Sequence, residues 1–350
     1  MTRLPDPEQT PASSKPARAA AVRGWLIRHY KALLGVATIM FLVVLLAVAV
    51  EHVIKEIDFA EVWLYLTDLP LSKVLQAMAL TIGAYWVLTL YDLSAQIYLR
   101  RKVPYATTAF AASCGYAISN NVGWAVISGA GVRLRAYGKA GLSPADVAKI
   151  VVFSTTTFTL GLTFTGAVGM IVGPEPVSLL LNVPEIAVQA AGAAMLLGLL
   201  AVCVITAVTH KPVRFGRWSI QLPSWGGVVS QITIASAELV LAAGVLWMLL
   251  PTEVQVPYTS FVALYCAALI VAIFSHVPGG LGVFESIILL GLAHHDAASA
   301  ILGALLAYRF FYYVLPLAAA GLGIAAWEIR HHTGRFGRAA DRLRGRGTDG

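Results

Sequence analysis

The sequence has 350 residues, 58% of them hydrophobic and 12% charged, with a formal net charge of +7. An ordinary soluble domain carries about 25% charged residues, so this composition excludes a soluble globular fold. The basic excess does not mark a nucleic-acid binder either. Arg3, Lys15, Arg18, Arg23, Arg28 and Lys31 precede the first apolar run, and Arg330, Arg335, Arg338, Arg342, Arg344 and Arg346 follow the last. Beside a membrane such clusters attract anionic headgroups and set orientation.

Several apolar runs reach the roughly 20 residues that a helix needs to cross a bilayer, and the short alternating strands of an outer-membrane barrel are absent. The predicted fold is therefore all-α, a polytopic membrane helix bundle. It divides into a basic tail over residues 1–31, an integral membrane domain over 32–328 and a second basic tail over 329–350. Both tails are placed on the cytoplasmic side of a bacterial inner membrane, and no small-residue cleavage site follows the first.

Residues 33–50 form the first predicted span. The loop after it holds Glu51, Glu56, Asp58, Glu61 and Asp68 against Lys55 and Lys73, which places it outside. Residues 74–99 return to Arg100, Arg101 and Lys102. The next run, 105–130, is long enough to cross yet ends at Arg133, Arg135 and Lys139, so both flanks are basic. Either the positive-inside rule fails or the run enters and turns back. The hairpin is the reading adopted, with its turn over Ser119, Asn120, Asn121 and Gly123. Residues 145–172 then lead out to Glu175 and Glu185, and 186–209 return to His210, Lys211, Arg214 and Arg217. Residues 225–250 lead out to Glu253, 258–275 come back, 287–292 join 278–285 as a broken half-helix, and 297–327 form the last span. The count is about eight crossings plus the hairpin.

Two broken segments place polar groups at membrane depth. In the first, Asn120, Asn121 and Gly123 precede Gly129, Arg133, Arg135 and Tyr137. An unwound turn there exposes peptide dipoles that only a polar substrate or side chains satisfy. Arg133, Arg135 and Tyr137 are expected at the cytoplasmic mouth, suited to a lipid phosphate. The competing reading, a positive-inside loop with helix caps, is preferred for Lys139. In the second segment Pro278, Gly279, Gly280 and Gly282 interrupt the helix, and Glu285 follows in the first turn beyond. The helix dipole stabilises a carboxylate at that position. At membrane depth it is also a candidate for a cationic headgroup or a proton.

Arg309 lies deep in the last span and requires a carboxylate partner, for which Glu285 and Glu238 are available. Asp92 reads as a satisfied surface group meeting Arg100 or Arg101. Ser154, Thr155, Thr156, Thr157, Thr159, Thr163 and Thr165, with Gly161, Gly166 and Gly169, read as a small-residue packing face. The glycines around both polar turns suggest two pseudo-repeats. Cys114, Cys203 and Cys266 read as packing residues, and His294-His295-Asp296 as a short periplasmic turn. Phosphate-loop and nucleophile-elbow signatures are absent. No cofactor or metal is expected.

Three motifs carry a resemblance: Asn121-x-Gly123 with Gly129-x-x-x-Arg133-x-x-x-Tyr137-x-x-x-Gly141-Leu142; Pro278-Gly279-Gly280-Leu281-Gly282-x-Phe284-Glu285; and Tyr308-Arg309-x-x-Tyr312-Tyr313-x-x-Pro316. In this order they resemble the membrane domain of bacterial lysylphosphatidylglycerol synthases, the multiple peptide resistance factors, over residues 28–330. In that family a cytoplasmic domain transfers an amino acid from tRNA to phosphatidylglycerol, and the membrane domain is thought to translocate the product, with resistance to antimicrobial peptides as the outcome. The sequence stops after the membrane part, so lysyltransferase activity is not expected of it. The resemblance implies flippase-like translocation of aminoacylated phosphatidylglycerol or a related lipid. The alternatives are a membrane subunit or anchor of such a synthase and a secondary transporter of a small polar solute. Membrane phospholipids, anionic or aminoacylated, are the expected partners, with a separate aminoacyltransferase and a second copy of the chain as further candidates.

Overall fold

A computed structural model describes residues 59–122, 129–209, 213–215, 218–220, 225–292 and 298–329. The expected first span, residues 1–31 and 330–350, Gly123 and the His294-His295-Asp296 turn lie outside the described residues. The fold is the all-α membrane bundle that the composition requires. Its helices are α1 (Phe59–Thr67), α2 (Leu71–Tyr98), α3 (Tyr105–Val122), α4 (Ala130–Lys139), α5 (Pro144–Val172) and α6 (Glu175–Leu181). They continue with α7 (Glu185–Thr209), α8 (Trp225–Leu249), α9 (Tyr258–Phe274), α10 (Val283–Gly291) and α11 (Ala298–Ile329). A small antiparallel pair, Val213–Phe215 with Trp218–Ile220, occupies the basic loop between α7 and α8.

Among the described residues, five helices, α2, α5, α7, α8 and α11, are long and apolar enough to cross a bilayer. Trp86, Ile97, Ile186, Leu197 and Leu322 are exposed on them, as expected of a surface that meets lipid rather than water. Helix α5 starts at a reciprocal cap. Ser143 Oγ accepts from the Asp146 backbone N–H while the Asp146 carboxylate accepts from the Ser143 N–H at 3.2 Å, and Pro144 supplies the preset first turn.

Helices α2 and α8 run antiparallel through the centre. Lys73 Nζ donates to the Leu250 carbonyl at 2.6 Å at one end, and Tyr91 reaches Glu238 further along. The small-residue face of α5 divides as its spacing dictates. Ser154, Thr157, Gly161, Thr165, Gly166 and Gly169 are buried, whereas Thr155, Thr156, Thr159 and Thr163 bond their own carbonyls one turn back. Packing there leaves no room for a side chain, since a Cβ on Gly161 would collide with Ala235 of α8. Gly161→Val is expected to lower stability by about 1–3 kcal/mol through overpacking. Unchanged thermal unfolding in detergent would rule out this tight crossing.

Two shorter helix pairs fold back on themselves. Helices α3 and α4 form the hairpin expected from its basic flanks, with Gly129 against the Gly115 carbonyl. The turn is not at Asn120 and Asn121 as expected, because both are still helical within α3. Helices α9 and α10 form a second hairpin, where the sequence suggested two further crossings. Gly291 packs on Leu264, and the Tyr265 and Phe284 rings meet at 5.4 Å. The physical reason is length: 17 and 9 residues rise only about 26 Å and 14 Å. The turn between them needs backbone that only glycine adopts freely, with φ of +62°, +60° and +78° at Gly279, Gly280 and Gly282.

The first hairpin has its base beside the start of α5, where Tyr137, Leu142, Val147 and Ile150 share a core cluster. The second has its base beside the end of α5, where Gly173 meets Ser260. They therefore enter from opposite ends of the bundle, and their tips meet inside it.

Candidate functional site

The meeting point is built from backbone. A Cβ on Gly279 would lie 3.1 Å from the Asn121 carbonyl oxygen and 3.4 Å from that of Asn120. Asn121 Nδ2 donates to the carbonyls of Ala117 at 2.7 Å and Tyr313 at 3.1 Å, tying the first tip to α11. Arg309 ties the second. Its guanidinium donates to the carbonyls of Gly279 at 2.7 Å and Gly280 at 3.3 Å, forms an ion pair with Glu285, and lies 4.5 Å from the centre of the Tyr313 ring. Glu285 also accepts from the Gly282 N–H at 2.8 Å. Of the two carboxylates proposed for Arg309, Glu285 is its partner. Arg309 opens a π-helical turn, Arg309–Val314, and such bulges concentrate at functional sites.

A second buried ion pair sits towards the Arg100–Lys102 end. Arg133 and Asp92 have side-chain exposures of 3% and 0%, with Nε 2.7 Å from Oδ2. Asp92 accepts further bonds from Arg133 Nη2 at 3.2 Å, Tyr137 at 2.7 Å, Tyr116 at 3.3 Å and Ser154 at 3.2 Å. The Arg133 guanidinium also stacks 4.4 Å from the Tyr116 ring centre. Two expectations are corrected here. Asp92 is not a surface group, and it meets neither Arg100 nor Arg101; Arg101 pairs with Asp146 at 3.0 Å. Arg133 and Tyr137 do not line an open mouth, because a lone guanidinium at this depth costs several kcal/mol and the chain supplies its counter-ion internally. Arg135 is the one of the three that stays exposed, at 66%, with Glu328 at 3.5 Å. Lys139 lies over the Trp327 ring at 3.6 Å.

Between the two pairs lies Glu238 on α8, 4% exposed. Its carboxylate accepts from Tyr312 at 2.6 Å and Tyr91 at 3.5 Å, and no basic side chain pairs with it among the described residues. Tyrosines join the three carboxylates. The Tyr91 ring meets Tyr116 at 5.9 Å, Tyr312 stacks on Tyr308 at 5.4 Å, and the Tyr308 and Tyr265 hydroxyls share a bond of 2.7 Å. Tyr308 packs on Tyr313, which lies under Arg309. A polar seam thus threads the apolar bundle from Asp92 and Arg133, through Glu238, to Arg309 and Glu285.

Beside the seam lies an apolar groove of about 680 Å³ between α2, α3 and α11, lined by Ile82, Trp86, Phe110, Leu315 and Ala319 among others. Tyr85 forms its inner wall and reaches the seam, its hydroxyl donating to the Tyr312 carbonyl at 3.3 Å. Thr81 also lines the groove, and its buried hydroxyl has no partner among the described residues.

Of the residues singled out from sequence, Asn120, Asn121, Gly279, Gly280, Gly282, Glu285 and Arg309 converge at the hairpin tips, with Pro278 in the same turn. Arg133, Tyr137 and Glu238 join the seam, Arg135 faces outward, and Gly123 lies outside the described residues. Sequence reasoning missed Tyr85, Tyr91, Tyr116 and Tyr265, gave Tyr308, Tyr312 and Tyr313 no role beyond their motif, and misplaced Asp92. The signal for Asp92 was its position: six residues before the end of α2 is about 9 Å inside the helix, too deep for a surface group. Among the described residues, no cluster of His, Cys, Asp and Glu is arranged to hold a metal.

No family model matches this chain. It is 34% identical over 261 residues to the uncharacterized protein slr0712 of Synechocystis sp., covering 75% of this chain and 81% of that protein. It is 26% identical over 291 residues to the inner membrane protein YbhN of Escherichia coli, covering 81% and 89%. A phosphatidylglycerol lysyltransferase of Staphylococcus xylosus is 34% identical over 105 residues, which cover 29% of this chain and 12% of that enzyme.

Proposed function

The chain belongs to the family of membrane proteins that contains slr0712 and YbhN and is related to phosphatidylglycerol lysyltransferases, and on that footing we propose that it moves a phospholipid between the leaflets of a bacterial inner membrane. The lipid is anionic or aminoacylated phosphatidylglycerol, and the membrane domain over 32–328 carries the activity while both basic tails rest on the cytoplasmic face.

The observation that most supports this reading is the groove beside the seam. Lipid translocation needs an apolar track for the acyl chains next to a polar track for the headgroup. Here the groove offers the first, and Tyr85, Thr81 and the hairpin tips offer the second. Because Arg133 and Glu285 already have counter-ions, the headgroup passes neutral hydrogen-bonding groups, and Arg135 with Arg100 to Lys102 gathers anionic lipid at one end. Phosphatidylglycerol carrying a photoreactive acyl chain is expected to label α2 and α11 along the groove. Ala319→Trp, which fills the groove from its exposed rim, is expected to abolish that labelling. Labelling spread evenly over outward-facing α7 would remove the groove from the account.

The relation to the lysyltransferases supports a second reading, a membrane subunit that presents phosphatidylglycerol to a separate aminoacyltransferase. In that case Ala319→Trp would reduce aminoacylation by the partner enzyme and leave leaflet exchange untouched.

A further inference from the structure

We propose that Glu238 is a proton-binding site that drives lipid movement, an inference that rests on the translocation reading above. Charge matching singles it out. Asp92 and Glu285 each hold an arginine, whereas Glu238, equally deep in the bundle, is met only by neutral donors. A buried carboxyl group without a counter-ion is a place where a proton can be taken up, because no opposite charge holds it ionised. The titratable groups around it are Tyr85 and Tyr91 from α2, Tyr265 and Cys266 from α9, and Tyr312 and Tyr313 from α11. From α5, Gly161 packs against Ala235 of α8. None of these groups is a cation.

A second observation extends the path. Gln231 lies two turns from Glu238 on the same face of α8, is 2% exposed, and has neither amide atom partnered among the described residues, where Ser236 and Thr165 also carry buried unpartnered hydroxyls. Buried polar atoms without protein partners mark places where water or a passing polar group supplies the missing bonds. Gln231, on the Arg100–Lys102 side of Glu238, gives a proton a stepping point towards it.

The geometry also says what protonation changes. As a carboxylate, Glu238 accepts from both Tyr312 and Tyr91; once it binds a proton at one oxygen it becomes a donor there, and the tyrosine at that oxygen must turn to accept or leave. Tyr312 belongs to the same π-helical turn as Arg309, which holds the carbonyls of Gly279 and Gly280 at the second hairpin tip. Gain and loss of one proton at Glu238 therefore loosen and tighten the turn that fixes the hairpin tips, and a proton gradient supplies the free energy.

Two measurements on the full-length protein test this. Infrared difference spectra across a pH titration are expected to contain a protonated-carboxyl band that Glu238→Gln removes and Tyr312→Phe shifts. In vesicles with fluorescent phosphatidylglycerol, a gradient of about one pH unit is expected to bias the leaflet ratio up to about tenfold at one proton per lipid, and Glu238→Gln, neutral and isosteric, is expected to abolish the bias. Lipid movement that ignores the gradient, or a spectrum without a band that Glu238→Gln removes, overturns the proton site and leaves translocation standing. A titrating band in a protein that moves no lipid overturns translocation, and with it the coupling.

Discussion

Arg133→Met is expected to destabilise the protein by about 3–5 kcal/mol, the cost of leaving a buried carboxylate without its counter-ion. Asp92 has no exposure and no other cation beside it among the described residues; Tyr137, Tyr116 and Ser154 donate to it but do not neutralise it. Removing the carboxylate as well reverses most of the loss. The double variant Asp92→Asn with Arg133→Met is expected to unfold in detergent within about 1–2 kcal/mol of the wild type, since a buried pair is often replaced by neutral groups at little cost. A single variant that melts like the wild type would mean that the α2–α4 pair contributes nothing to holding the first hairpin.

Arg309→Met is expected to behave differently. Its pair with Glu285 is 12% exposed on each side, against 3% and 0% for Arg133 and Asp92, so solvent and headgroups screen part of the charge and the stability loss is smaller. Function suffers more, because Arg309 joins α11 to the carbonyls of both Gly279 and Gly280. The expected result is a folded protein whose second hairpin tip is no longer anchored and whose lipid movement is lost. Glu285→Gln is milder, since an amide oxygen still accepts from the Gly282 N–H. A double-mutant cycle across the pair is expected to give about 0.5–3 kcal/mol of coupling in unfolding experiments, as contacting residues do. Neutralising Glu238 instead of Glu285 is expected to give none, and coupling to Glu238 would reassign the partner.

The large features of the fold were legible because bilayer physics leaves few choices. Length and apolarity placed α2, α5, α7, α8 and α11, and basic flanks on both sides of 105–130 identified the first hairpin. The proline and glycines at 278–282 located the second break, but not that α9 and α10 lie against each other, because nothing local in 258–292 distinguishes two crossings from one re-entrant pair. That distinction is a matter of packing, seen in Gly291 against Leu264. Arg309 was readable as needing a carboxylate; which carboxylate was a question of tertiary geometry. Asp92 was misjudged for a related reason: Arg100 and Arg101, near it in sequence, drew the pairing, while its partner lies 41 positions away. Tyr308, Tyr312 and Tyr313 stood out in the sequence only as part of a motif, since phenols in apolar helices read as packing until the Tyr312 and Tyr91 hydroxyls are found on Glu238.

Leaflet exchange by the purified protein tests the central claim most directly. Vesicles containing it and fluorescent phosphatidylglycerol should expose inner-leaflet lipid to an external quencher, whereas protein-free vesicles and those with Arg309→Met or Ala319→Trp should expose only the outer leaflet. Folded wild-type protein that leaves the inner leaflet as protected as in protein-free vesicles, whatever ion gradient is imposed, would contradict it.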